Sequence, residues 1–405
     1  MADFRYTVSS LNGQGAANGF IRNAKETQKK GHMRLNVLAN RIFPNGAVPF
    51  AAALDHFQST TNHITFGNIS PEALKMHVTA PLTIDSKEDP EHCLSKVWKY
   101  RDEFEATKLC DRFVDALSEH AECAPGVLDS VNWCLYEVMD NVFQHSHSQV
   151  GFAMMQIHPK KRWAAFAISD TGIGIHKSFV DGGVYRVDNA YEAIMKAVQE
   201  KVTSKPKNMG NGLFGLIRVV GIGKGILDIR SGRGWMHYED MKMQGDHSVS
   251  LPLIDARDHQ GTDIDWQIDL SRDVTIQQAL GSKKHADLRL EQLEDEEGQH
   301  FVLVRDFEEG LGTRRSAEQI RNRLTNLIRQ GAPSLVLDFD GVSVVSSSFA
   351  DEVLGKLALR MGLLNFMATF RLKNMSQTVQ AIVERAIQQR LAEGDSETPG
   401  LGSSA

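Results

Sequence analysis

The chain has 405 residues, enough for two or three domains of ordinary size. Hydrophobic residues make up 41% and charged residues 24%, a globular balance that excludes wholesale disorder. The formal net charge of −6 gives no indication of a nucleic-acid binder.

Residues 1 to about 30, rich in Gly, Asn and Lys, read as a loosely held arm. Arg34–Ala39 is a strand candidate, and Pro49–Ser59 a helix with Phe50, Leu54 and Phe57 on one face. His63–Phe66 and Met76–Ile84 are further strand candidates. Residues 1–87 thus form an arm and a small α/β unit whose sequence carries no evident chemistry. A polar break at Ser86–Pro90 precedes two helices, Phe104–His120 and Pro125–His145. Pro125 stands where a first helical turn tolerates it. Val150–His158 and Trp163–Ser169 read as strands joined at Pro159–Lys161.

A glycine-containing loop, Asp170–Ile175, comes next, then a helix over Tyr191–Gln199. Pro206–Gly212 is flexible in composition, and Leu213–Gly221 begins another helix. Strand patterns resume at Gly225–Arg230, Trp235–Tyr238, His247–Leu253 and Thr262–Leu270. Residues 88–271 are read as one domain and 272–297 as a charged linker. A second unit over 298–391 alternates strands (Phe301–Val304, Ser334–Phe339, Thr369–Leu372) with helices (Arg315–Arg329, Ala350–Arg360, Ser376–Gln389). That alternation implies an α/β layer fold. Residues 392–405 are expected to be a disordered tail.

No run of about 18 apolar residues occurs, so no membrane span is expected. The N-terminus lacks the basic stretch and apolar core of a secretory signal. A cytoplasmic location follows as the expectation. Cys93, Cys110, Cys123 and Cys134 form no CxxC pair and read as reduced, partly buried thiols.

Three segments carry chemistry. On the second long helix, Glu137, Asn141 and His145 are spaced i, i+4, i+8 and share one face. A carboxylate there can polarise an attacking water, an amide oxygen can ligate Mg²⁺, and a third polar group can meet phosphate. The second segment is Asp170-Thr-Gly172-Ile-Gly174, directly after a strand. Its carboxylate can accept a hydrogen bond from an adenine amino group, and its glycines supply close approach and unusual φ values. The third is Gly210-Asn211-Gly212-Leu213-Phe-Gly215, which leads into a helix whose first amides can bind phosphate. Taken singly, these are equally an exposed helix face, a tight turn and a helix cap. Neither a dinucleotide GxGxxG nor a GxxxxGK[ST] phosphate loop is present. The order helix, strand-end loop and glycine-rich lid, at intervals of about 30 and about 40 residues, fits one pocket.

Residues from about 90 to 270 resemble the GHKL ATPase superfamily of histidine kinases, anti-sigma serine kinases, MutL, gyrase B and the ninety-kilodalton chaperone. The resemblance implies a Bergerat fold, an α+β sandwich in which a mixed sheet is covered on one face by helices. It implies ATP and Mg²⁺ as cofactors. Glu137 becomes the water-activating base, Asn141 the Mg²⁺ ligand and Asp170 the adenine contact. Gly172 and Gly174 allow approach to the base, and Gly210, Gly212 and Gly215 shape the lid. Thr262 assists at adenine, and His145 neighbours phosphate. Lys205 and Lys207 read either as γ-phosphate support or as solvated loop lysines. The lid is one residue longer than the usual GxGLGL, and no clear phospho-acceptor histidine precedes the domain.

Residues from about 298 to 390 resemble STAS-like domains fused to such ATPases. Ser346, Ser347 and Ser348 open a helix, where they serve as caps or as phosphorylation sites. The usual Asp-Ser-Ser-Gly is absent there. The function expected is a regulatory ATPase whose nucleotide state controls the STAS-like domain and, through it, a protein partner. The alternatives are a serine protein kinase of the anti-sigma type, or a non-hydrolysing nucleotide-gated module in stress signalling or phage defence. A homodimer is consistent with the resemblance.

Overall fold

The computed structural model describes residues 2–28, 31–60, 64–86, 93–200, 202, 212–255, 257–280, 299–310, 314–332 and 334–396. The chain is of the α/β class and divides into two compact units. Met1–Ala116 and Val127–Lys283 form the first, and Leu117–Gly126 with Lys284–Ala405 form the second.

The first unit opens with β1 (Ala2–Val8), α1 (Gly15–Gln28), β2 (Gly31–Val37), α2 (Pro44–Thr60) and β3 (Ile64–Ile69). The three strands pair in parallel in the order β1-β2-β3. The expected loose arm is therefore a strand and a helix. Its α1 is amphipathic and buries Phe20, Ile21 and Ala24. Arg22 and Lys25 donate from the same helix to the carbonyls of Ser250 and Leu253, each at 2.8 Å. A short helix, α3 (Pro71–Lys75), capped by Ser70 and started by Pro71, precedes the strand expected at Met76–Ile84. Those residues form turns instead, with one isolated bridge from Leu82 to Trp98.

Next come β4 (Trp98–Tyr100), α4 (Glu103–His120), α5 (Val127–Gln144), β5 (Gly151–His158) and β6 (Trp163–Asp170). They are followed by α6 (Gly174–Gly182), α7 (Ala190–Ala197), α8 (Gly212–Ile222), β7 (Ile226–Ser231) and β8 (Gly234–Glu239). The unit closes with β9 (Lys242–His247), β10 (Thr262–Asp269) and α9 (Ile276–Leu280). The strand expected at His247–Leu253 instead ends at His247, because residues 248–251 turn back.

Seven strands form one sheet in the order β4-β5-β6-β10-β7-β8-β9. The expected mixed sheet is antiparallel at every pairing between its seven strands, and a single isolated bridge, Leu82 to Trp98 of β4, is parallel. Helices cover it on both faces, not one. α2 lies on β5 and β6, while α5 packs on β6 and α8 on β7 and β10. Phe152, Met154 and Ala167 share a core with Phe50, Leu54 and Phe57 of α2. Side chains alternate along a strand, so Phe166 and the Trp266 stacked on it point the other way. Two-sided burial explains why β5 and β6 read as near-continuous apolar runs. The same core crosses position 87, so residues 1–87 and the domain after them belong to one body.

In the second unit β11 (His300–Leu303), β12 (Leu335–Asp338) and β13 (Phe370–Lys373) form a parallel sheet in that order. Helix α10 (Arg314–Arg329) follows β11. After β12 comes α11 (Ser347–Ala350), which passes through a π-helical turn (Asp351–Gly355) into α12 (Lys356–Met361). Then follow α13 (Leu363–Thr369) and, beyond β13, α14 (Gln377–Ser396). The helix expected from Ala350 thus starts at Ser347. The expected tail from 392 is helical as far as Ser396, and residues 397–405 lie outside the described residues. The expected linker at 272–297 includes α9, and its part from 281 onward also lies outside them. Arg321 and Glu352 form a buried ion pair inside this unit, and Lys356 reaches the same carboxylate at 2.6 Å.

Candidate functional site

The site is built around α5. Its apolar face, including Val131, Leu135, Val138 and Val142, is buried, which leaves Glu137 and Asn141 half-buried on another stripe. The first glycine of α8 lies against that stripe. A Cβ at Gly212 would meet Glu137 Oε2 at 2.8 Å and Asn141 Nδ2 at 3.5 Å. Burial first, and the charge of Asp140 second, push the Glu137 carboxyl above its ordinary range. Gly215 is buried one turn further on. A Cβ there would meet the Trp133 ring at 2.2 Å, so this glycine sets the close packing of α8 on α5. Its place is a helix contact, not the lid expected from the sequence. Leu213 is half-buried in the first turn of α8.

The C-terminal end of α5 receives the Asp170–Ile175 loop. Ile173 N–H donates to the Ser146 carbonyl at 2.8 Å, and a Cβ on Gly172 would lie 2.1 Å from that oxygen. Gly172 therefore serves the docking of the loop on the helix end, where the sequence suggested an approach to base. Gly174 has φ +77°, a conformation that suits glycine, and α6 begins at it. The sequence pattern marks only a glycine-containing loop at Asp170–Ile175. Ser231 holds this start by accepting from Ile175 N–H at 2.8 Å.

Asp170 is 6% exposed. Burial pushes its carboxyl up to about 7, and the charge of Asp263 adds to the rise. The Gly172 N–H, donating at 2.7 Å, and the Ser146 hydroxyl pull it back. Thr262 stands opposite Asp170 across β6 and β10, and its hydroxyl lies 3.1 Å from that of Ser231. His259 Nδ1 lies 2.8 Å from the Thr171 carbonyl. A half-buried carboxylate with an amide therefore faces the start of α8 near the middle of α5. A buried carboxyl with a hydroxyl lies at the C-terminal end. Along the axis of α5, Glu137 lies roughly 13 Å and Asn141 roughly 7 Å from the Ser146 end.

Glu137 and Asn141 on α5, Gly212 at the start of α8, and Asp170 and Thr262 on the sheet are thus arranged along one side of α5 and its C-terminal end. His145 is half-buried one turn past Asn141, and its N–H donates to the Asn141 carbonyl. Lys205, Lys207, Gly210 and Asn211 lie outside the described residues. Ser146 and Ser231 were not legible as site residues. Each belongs to a common residue type, and its role depends on a partner far away in sequence. Burial pushes the Cys110 and Cys134 thiols up, which disfavours their thiolate forms.

In the second unit Ser346 caps α11 by accepting from Phe349 N–H at 3.0 Å. Ser347 is exposed and Ser348 half-buried. Residues 316–380 match the model of a STAS-like domain of unknown function (DUF4325). The C-terminal unit is STAS-like. No curated protein and no solved structure matches the chain. The match begins inside α10 and ends early in α14, so it takes in Ser346–Ser348, the π-helical turn and the Arg321–Glu352 pair. No described helix is long and apolar enough to cross a membrane.

Proposed function

We propose that the first unit binds Mg-ATP between α5 and α8 and hydrolyses it, as a cytoplasmic GHKL-type regulatory ATPase. The observation that carries this reading is the close approach of Gly212 to Glu137 and Asn141, where a side chain on that glycine would meet both. It joins two of the three motifs, and the third, Asp170–Gly174, docks on the same helix. The adenine end belongs at Asp170 and Thr262, where a carboxylate accepts from the base amino group. The phosphate end belongs at the first amides of α8, where a helix N-terminus favours anions.

The residues present fit Mg²⁺. Asn141 offers a hard amide oxygen once its amide is turned, and Mg²⁺ takes few protein ligands beside phosphate and water. The ion would neutralise phosphate charge. Glu137, with its raised carboxyl, accepts a proton from the attacking water. The STAS-like unit would transmit the nucleotide state to a protein partner.

A direct test measures ATP binding and phosphate release by the full chain, with Glu137→Ala and Asn141→Ala beside it. Turnover that survives both substitutions overturns the hydrolytic reading. Exposed Ser347 keeps a second reading in view, a serine kinase of the anti-sigma type. Label from γ-phosphate-labelled ATP on Ser346–Ser348 would favour the kinase. Free phosphate with unlabelled protein favours the ATPase.

A further inference from the structure

Tyr100 ends the edge strand β4 and is fully buried. It stands opposite Gly151, Gly151 opposite Asp170, and Asp170 opposite Thr262. Residues in such a cross-strand row point to the same face. Tyr100 therefore belongs to the face that carries Asp170. Gly151 leaves room for it to reach inward. A Cβ at Gly151 would meet the Tyr100 ring carbon Cζ at 2.2 Å and its hydroxyl oxygen at 2.3 Å. The ring thus lies over bare backbone and points along the row toward Asp170. Phe143 of α5 holds it edge-on, with ring centroids 5.7 Å apart.

The hydroxyl has no hydrogen-bond partner among the described residues. Buried tyrosine hydroxyls ordinarily have one. Burial first, then the neighbouring charge of Asp170, hold the phenol well above its ordinary range, so it is an O–H donor at every working pH. Asp140 of α5 and Cys110 of α4 are the other titratable groups it senses. A fixed donor aimed at a buried carboxyl is a structural cost in the empty fold. It becomes useful when that carboxyl must be held as an acceptor in one orientation.

We propose that Tyr100 is a positioning residue of the base subsite, its hydroxyl donating through a bridging water to Asp170 and so aiming that carboxylate at the amino group of adenine. A water is the natural bridge between two buried polar groups that do not touch. The proposal rests on the ATP reading above. It adds to that reading a determinant of base selectivity from a strand outside all three motifs.

The test is calorimetric titration of the full chain, wild type and Tyr100→Phe, with Mg-ATP and with purine riboside triphosphate, which lacks the amino group. Tyr100→Phe is expected to weaken ATP about tenfold, as for loss of a hydrogen bond to a charged group. It is expected to leave the affinity for the analogue unchanged. Thermal unfolding without nucleotide is expected to show little loss of stability, since the hydroxyl has no direct partner among the described residues to lose. An equal loss for both nucleotides would mean a merely structural role and overturn the proposal, as would no loss for ATP. In an Asp170→Asn background the same substitution should add nothing further, and an additive loss sinks the proposal while leaving ATP binding standing. A wild-type chain that binds no ATP overturns both readings together.

Discussion

The carbonyl of Ser146, just past the end of α5, occupies the space where a side chain on Gly172 would have to begin. The contact is backbone to backbone, so neither side can yield by changing a rotamer. It joins the helix that carries Glu137 and Asn141 to the turn that carries Asp170.

Gly172→Ala is therefore expected to destabilise the first unit by about 1–3 kcal/mol, the usual range for overpacking. It should also weaken ATP binding by shifting the Asp170 turn away from α5. Urea unfolding and nucleotide titration of the same variant measure the two effects. A stable variant with native affinity would show that the loop is not docked on Ser146.

The Asp170 carboxyl is pushed up to about 7. In the proposed base subsite the ionised form is the stronger acceptor for an adenine amino group. ATP affinity is expected to fall as pH drops below about 7. In the unliganded protein the sign is opposite. The folded state holds this proton more tightly than the unfolded state, whose ordinary value is 3.8. The proton-linked stability is complete below 3.8 and is lost as pH rises through about 7. Asp170→Asn should then be more stable than wild type above neutrality, by on the order of a few kcal/mol. Thermal scans at acidic and mildly alkaline pH test this. A constant difference between the two proteins across pH rules it out.

Glu137→Gln retains the shape at Gly212 and removes the proposed base. ATP affinity should stay within about twofold, while turnover falls by roughly 10²–10⁴. Single-turnover phosphate release separates chemistry from binding. Loss of binding without loss of the chemical step would assign Glu137 to the wrong end of the site.

In the STAS-like unit, Arg321 lies buried against Glu352. Arg321→Met leaves that carboxylate inside the fold with Lys356 as its remaining cation. A cost of about 3–5 kcal/mol is expected, and Glu352→Leu in the same chain should recover most of it. Chemical denaturation of the single and double variants is the check. Equal stability of the single variant and wild type would refute it.

At Ser346 the hydroxyl is committed to the cap of α11. Ser346→Ala should cost about 1 kcal/mol. Phosphorylation there would have to displace the bond from Phe349 N–H, whereas Ser347 is free of that duty. Mass mapping after incubation with ATP distinguishes the two serines.

Local pattern determined much of this. The 3.6-residue periodicity marked α4, α5, α8 and α10 within a few residues. The apolar runs marked β5, β6 and β12. The spacing of Glu137 and Asn141 places both on one helical face. The STAS-like character of the C-terminal unit was legible around Ser346–Phe349. Sequence alone mistook the first 30 residues for a loose arm, because Gly, Asn, Lys and Gln interrupt the apolar positions of α1, and β1 is held by its pairing with β2. The tertiary structure decided what periodicity cannot encode. Cross-strand register aligned Tyr100, Gly151, Asp170 and Thr262, four residues from four strands spread over more than a hundred positions. Close approach showed that Gly172 and Gly215 are needed for backbone and ring contacts on α5. Periodicity records which face of an element is apolar; which residues meet across faces depends on pairing and packing, and these exist only once the chain has folded.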